Sequence, residues 1–290
     1  MGHAIPVAYT IRREGSPSLE IALVESDRLL MHEETLPDML ESLIDRIRED
    51  GVLRAPVIVD GETLVVLDGM HRVEALRRLG CRFICVCLVD YMDPEIRVDR
   101  WCRVILGGFG TREAVKVATD LGIRLEPRGT NEASRDESFS QLIFRGSRYR
   151  LLAPRSDPLT SFKAVRDFEL RLKSMGFKVE YEAHHHAEKR MEDGVGDAVL
   201  CPPKIRKEQV VEMARAGKVL VFKATRHIIP ARPLGVDVPL YLLRDEDLSV
   251  EEANERLSSM LSRRKLVHLS QGASWNGRRY EEDLYVFEGD

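Results

Sequence analysis

Asparagine and glutamine are scarce in this chain, with three of each in 290 residues. Charged residues make up 32 %, and 34 of the 44 basic side chains are Arg. Few amides beside many charges is a thermophile's bias, although the Arg excess also follows from genome composition alone. An excess of positive charge is missing too. Lys and Arg total 44 against 48 Asp and Glu, a formal charge of -4, which argues against a general grip on nucleic acid. No apolar run approaches the length of a membrane span, and residues 1 to 17 lack the pattern of a signal peptide. The five cysteines (81, 85, 87, 102 and 201) are odd in number and form no CxxC pair. They read as reduced, mostly buried thiols of a cytoplasmic protein.

What is present is organised around residues 64 to 79, LVVLDGMHRVEALRRL. Leu64-Val65-Val66-Leu67 is too short for a helix and carries β-branched residues, so it predicts a buried strand. Asp68-Gly69 breaks it. From His71 the apolar residues Val73, Leu76 and Leu79 follow helical spacing, and Gly80 stands where a helix ends. The product is strand, tight turn, helix, with a carboxylate, an imidazole and a guanidinium at the turn. A helix start presents open N–H groups and partial positive charge, which suits phosphate. His71 and Arg72 add donors, and Asp68 can hold Mg²⁺ or orient a neighbour. The plain alternative is a capping Asp beside a surface Arg.

Around this turn the pattern predicts a strand at 19–24, then the polar segment His32-Glu33-Glu34. A helix starts at Pro37 and stops at Gly51. Strands follow at 55–59 and 83–89, the first joined to 64–67 by an Asp60-Gly61 turn. Residues 97–106 are expected to continue that sheet. Residues 1–106 then form a first unit and 107–245 a second. The second is predicted to hold helices at 111–121, 158–175, 184–191 and 207–215. Its strands are predicted at 177–181, 197–200 and 219–222, with a hairpin around Gly146 and a polar loop at 127–138. The fold class is α/β, mixed α and β. Residues 246–290 open with the capping box Ser249-Val250-Glu251-Glu252 and close on two strands, with no evident role.

Three further groups carry candidate chemistry. His32-Glu33-Glu34 is, by itself, a solvated acidic loop. Trp101 can stack on a ligand, though a lone Trp is more often core. Thr225-Arg226-His227 follows an expected strand and suits a carboxylate or phosphate. The run His184-His185-His186 is not a chelate, because consecutive residues on a helix do not share a face.

Taken in order, these motifs resemble a known family. DGMHRVEAL after a strand is similar to the domain shared by ParB proteins and sulfiredoxins. The series His32-Glu33, Asp68-Gly69-Met70-His71-Arg72, Trp101, Thr225-Arg226-His227 resembles the archaeal free L-serine kinases of that superfamily, over about residues 19 to 240. The resemblance implies a ParB/sulfiredoxin-like N-terminal domain and phosphorylation of free L-serine by ADP or ATP with Mg²⁺. Its product, O-phosphoserine, feeds cysteine synthesis in that family. Glu33 is implied as the catalytic base, and Asp68 as the residue beside Mg²⁺ and the phosphates. Gly69, Met70, His71 and Arg72 are implied to hold the nucleotide phosphates. Trp101, Thr225, Arg226 and His227 are implied to line the serine site, with Thr225 also at the nucleotide. L-serine and nucleotide are then the partners, with no membrane and no nucleic acid, and the oligomeric state stays open.

Two departures stand out: Met70 replaces a second His of the family, and residues after Asp245 have no counterpart in it. Sulfiredoxin chemistry is excluded because it needs a nucleophilic Cys where Met70 stands, and a thioether forms no thiolate. A ParB-like nucleotide-dependent DNA-binding protein remains the alternative, although the acidic balance and the mixed second half give it little support.

Overall fold

The computed structural model describes residues 5–13, 15–128, 137–155 and 157–289. The chain divides into two compact units. One comprises the residues up to Arg97 together with Val211–Lys218 and Ile229 onward. The other comprises Val98–Val210 and Val219–Ile228. This departs from boundaries after residues 106 and 245. The chain leaves the first unit nine residues earlier than the 106/107 boundary and returns to it for its C-terminal part.

The first unit is built on a five-stranded sheet in the order Tyr9–Arg13, Ser16–Glu25, Phe83–Val89, Val57–Asp60, Val66–Asp68. Phe83–Val89 sits at its centre, and all seven residues are buried, as expected of the run FICVCLV. It pairs antiparallel with Ser16–Glu25 and parallel with Val57–Asp60. Helix Pro37–Asp50 starts with Pro in its first turn and ends where Gly51 takes φ 68°. It packs on helix Met70–Arg78, which follows the strand that ends in Asp68.

Residues 246–290 belong to this first unit. Helix Val250–Leu261 starts from the expected capping box, with Ser249 and Glu252 bonded reciprocally. It docks on Ser16–Glu25 through Asn254, which is buried. The Asn254 amide accepts from the Leu23 N–H at 2.8 Å and donates to the Leu23 carbonyl at 2.9 Å. One side chain thereby supplies the hydrogen bonds a further strand would give, and neither backbone group of Leu23 is left unpaired. Strands Lys265–Leu269 and Asp283–Glu288 form a three-stranded sheet with Ala231–Leu234, in which Asp283–Glu288 is central.

The second unit holds a six-stranded sheet whose described pairings are all antiparallel. Its order is Lys178–Ala183, Trp101–Leu106, Ala198–Cys201, Ser140–Phe144, Ser147–Leu152, Arg124–Arg128. Trp101–Leu106 therefore does not extend the first sheet. Helices Thr111–Asp120 and Pro158–Ser174 bury Val117, Val165, Phe168 and Leu172 against one face, and His184–Glu192 packs Ala187 and Met191 on the other. The polar loop expected at 127–138 lies largely outside the described residues.

Two expectations are corrected here. Cys102 and Cys201 are not reduced thiols but a disulfide, while Cys81, Cys85 and Cys87 are free and buried. Leu200 pairs with Arg103 on adjacent antiparallel strands, which brings the two cysteines opposite each other across 99 residues of sequence. Residues 219–222 form no strand. Leu220 and Val221 are buried as their composition requires, but the Phe222 and Lys223 carbonyls accept from Arg103 instead of a neighbouring strand. Lys223 then turns with φ 58°.

Candidate active site

In the first unit the site is the turn after strand Val66–Asp68. Gly69 takes φ 105° and opens helix Met70–Arg78 without any side-chain cap hydrogen bond, a kind of helix start that suits an anion. The strand and the segment before Pro37 run side by side. Leu30 forms a parallel bridge with Val65, the Leu30 N–H donates to the Leu64 carbonyl, and the Val66 N–H donates to the Leu30 carbonyl, both at 2.9 Å. Glu33 is three residues beyond Leu30 and Asp68 three beyond Val65, so the two carboxylates arrive at the same end of this pairing. A second tie lies beyond them, where the Leu36 N–H donates to His71 Nε2 at 3.0 Å. The His32-Glu33-Glu34 segment is therefore not a solvated loop. His32 is fully buried, and the Glu33 side chain keeps only 12 % of its surface.

The charges at the turn are arranged around Asp68. Its Oδ2 accepts from Arg72 Nη2 at 3.2 Å and from Arg232 Nη1 at 2.9 Å. Burial raises the Asp68 carboxyl, but Arg72, Arg232 and Arg278 outweigh it and hold the group down at about 2. Its side chain is 42 % exposed, so solvent screens part of that attraction. Arg72 also donates to the carbonyls of Ala55 and Pro56 at 2.9 and 2.6 Å. In this arrangement Arg72 fastens the turn to the neighbouring strand connection, and His71 Nε2 acts as an acceptor rather than a phosphate donor. Met70 is buried and contributes its backbone to the helix start. Arg232 was not singled out by the sequence, since Ala231-Arg232-Pro233-Leu234 carries no motif, and neither was its ion-pair partner Glu282.

Gly69 has a reason beyond its φ. A Cβ there lies 2.8 Å from Arg72 Nη2 and 2.9 Å from Nε. Gly69→Ala is expected to push the Arg72 guanidinium off Asp68 and strain the backbone. It should destabilise the protein by about 1–3 kcal/mol. Urea unfolding checks this, and an unchanged midpoint would show that the turn relaxes freely.

The remaining candidates lie in the second unit. Arg103 is buried at the centre of a network, donating to Glu169 Oε2 at 2.9 Å and to the carbonyls of Trp101 and Lys223 at 2.8 and 3.1 Å. It fastens the start of strand Trp101–Leu106 to the turn at Lys223. Trp101 consequently lies beside the Thr225-Arg226-His227 segment. Lys223 Nζ is 3.9 Å from the Trp101 ring centre and Arg226 Cζ is 5.6 Å away, both within reach of the ring's quadrupole. Thr225 is buried, and Arg226 and His227 begin strand Arg226–Ile228 rather than following a strand. Lys223, a neighbour the family motif does not mention, faces the indole.

The structure thus places Glu33 on a segment that runs beside the strand leading into the Asp68–Arg72 turn in one unit, and Trp101 near Arg226 in the other. Of the three histidines at 184–186, His184 alone joins a ligand-type cluster, with Cys102 and Cys201, whose donor atoms lie within 4.8 Å of one another. The two sulfurs are bonded to each other and offer no thiolate. His184 Nε2 is also 3.2 Å from Arg100 Nη2, which disfavours a cation there.

An uncapped helix start after a short strand, on a mixed α/β scaffold, fits a ParB/sulfiredoxin-like fold. No protein-family model matches the chain. It is 28 % identical over 236 residues to the ATP-dependent L-serine kinase of Staphylothermus marinus, covering 78 % of this chain and 92 % of that protein. It is 25 % identical over 228 residues to the ADP-dependent L-serine kinase SerK of Thermococcus kodakarensis, covering 77 % and 92 %. The structure of a free serine kinase in complex with AMP superimposes with a TM-score of 0.66 at 23 % identity, covering 77 % of this chain and 93 % of that one. The chain is thus similar to these L-serine kinases over 77–78 % of its length.

Proposed function

We propose that this protein transfers a phosphoryl group from ATP or ADP to the hydroxyl of free L-serine, giving O-phospho-L-serine. The observation that carries the reading is the parallel pairing of Leu30 with Val65, which delivers Glu33 to the same end as Asp68 and the uncapped helix start. The hydroxyl of serine is far too weak an acid to ionise at neutral pH. A carboxylate positioned beside it must take its proton as the oxygen–phosphorus bond forms and the bond to the leaving nucleotide breaks. Glu33 is that base. The helix start at Gly69–Met70, with the neighbouring guanidinium groups, takes the phosphates.

Asp68, with the nucleotide's own phosphates, would hold Mg²⁺, since kinases bind it through one or two carboxylates plus phosphate. Arg72 and Arg232 already bond Asp68 Oδ2, so the phosphates would supply most of the negative charge at the ion. Mg²⁺ there would neutralise charge on the transferred group, while His71 and Arg72 keep the turn in shape. Trp101, Thr225, Arg226 and His227 are proposed to hold serine, Arg226 by its carboxylate, and Thr225 also to contact the nucleotide. We place the reaction before cysteine synthesis, where phosphoserine is consumed.

Purified protein incubated with Mg²⁺, serine and either ADP or ATP, followed by phosphorus NMR, tests the reading. A phosphoserine signal that depends on serine supports it and names the donor. Nucleotide hydrolysis indifferent to serine overturns it. The DNA-binding alternative predicts a duplex affinity that falls steeply with salt, because many phosphate contacts release counterions. We expect no duplex binding tighter than about micromolar at physiological salt. Nanomolar binding to a palindrome would favour the alternative.

A further inference from the structure

The guanidinium groups around Asp68 come from three places in the chain, and one of them is the C-terminal segment. Arg72 is on the helix after the turn, Arg232 is on strand Ala231–Leu234, and Arg278 is on a hairpin in which Trp275 pairs with Arg278 and Ser274 with Arg279. Asn276 and Gly277 connect that hairpin with φ 47° and 75°, the left-handed pair a tight two-residue connection demands. The hairpin is tied at its base, where the Gly272 N–H donates to the Tyr280 carbonyl at 2.9 Å and the Tyr280 N–H to the Ala273 carbonyl at 3.0 Å. Trp275 and Tyr280 pack with Leu234, Leu284, Val286 and Ala55. Ala55 is the residue whose carbonyl accepts from Arg72.

The Tyr280 ring lies near both distal arginines. Arg278 Cζ lies 4.8 Å from its ring centre and Arg232 Cζ lies 6.0 Å away. Arg232 is held from both ends, by Asp68 and by Glu282. Arg72 and Arg232 are tied to the carboxylates of Asp68 and Glu282, whereas Arg278 is the exposed guanidinium of the three. We infer that the C-terminal segment completes the phosphate site of the nucleotide, with Arg278 as a phosphate-binding residue carried in by the Ser274–Arg279 hairpin. A nucleoside di- or triphosphate is the ligand class, since one phosphate at the helix start leaves further anionic oxygens for a second donor. Arg278 also lowers the carboxyl of Asp68, consistent with its charge reaching the turn.

The inference rests on the kinase reading only for the identity of the nucleotide. Calorimetry on the full chain with ADP and with adenosine separates the two. Arg278→Ala is expected to weaken ADP about tenfold and adenosine by less than twofold, with Arg278→Lys recovering part of the loss. Unchanged ADP affinity in Arg278→Ala overturns the inference. So does an equal loss for adenosine, which would mean that the hairpin shapes the pocket and does not read phosphate. If the ADP result is as expected but the wild-type protein forms no phosphoserine, the kinase reading fails and this inference stands. If the wild-type protein binds neither ADP nor ATP, both fail.

Discussion

Replacing Glu33 by Gln is expected to lower phosphoserine formation by about 10²-fold or more. The change preserves volume and hydrogen-bonding capacity and removes only the proton acceptor. Glu33 is 12 % exposed and lies on a segment pinned by the Leu30–Val65 bridge before it and the Leu36–His71 bond after it. The loss should therefore fall on kcat, with nucleotide affinity and the unfolding midpoint close to wild type. Steady-state turnover by phosphorus NMR, with calorimetry for ADP, reads both. Near-normal turnover in a folded Glu33→Gln protein would move the proton acceptor elsewhere, and the adjacent Glu34 is the first to test.

The largest effect on stability is expected from Arg103→Met. The Arg103 and Glu169 side chains are 1 % and 4 % exposed, and removing one partner strands the other in the interior. Glu169 keeps Lys173 and Tyr181, each bonded to Oε1, so the cost is placed at about 3 kcal/mol, the lower end for breaking a buried pair. Burial raises the Glu169 carboxyl, and Arg103, Lys173 and Tyr181 together outweigh it and lower the group below 4.5. Because its folded value lies below its unfolded one, Glu169 contributes stability that is present above about pH 4.5 and lost as pH falls through the folded value. Without Arg103 that loss should begin at higher pH. Denaturant unfolding at pH 7 and pH 5 checks both the size and the direction. The double variant Arg103→Met with Glu169→Leu should regain much of the loss, since an apolar pair of similar volume replaces a buried ion pair at little cost. A single variant as stable as wild type would show that Arg103 is not what fixes the second unit's interior.

Much of the candidate site could be read directly from the chain because it is local. Strand, Gly69 and helix follow one another within residues 64–79, and their conformations depend on β-branching, a glycine at positive φ and 3.6-residue spacing. The first helix, the seven buried residues of Phe83–Val89 and the capping box at Ser249 were legible for the same reason. Residues 219–222 looked like a strand because burial, which Leu220 and Val221 do achieve, is not the same as pairing. The carbonyls of Phe222 and the next residue, Lys223, are claimed by Arg103, more than 100 residues away.

The sequence by itself determined the strand, glycine turn and helix of residues 64–79 and the order of motifs that resemble those of the L-serine kinases, since those features need only neighbours along the chain. The tertiary structure decided what long-range contacts decide. It placed Trp101–Leu106 in the second sheet and brought Cys102 opposite Cys201. It also returned residues 246–290 to the first unit through Asn254. Finally, it bonded Arg232 to Asp68 and set Arg278 against the Tyr280 ring that Arg232 also approaches. Local propensity carries no information about which distant charge will meet a given carboxylate. That partner is selected only when strands from opposite ends of the chain pack together and the buried charges must be matched.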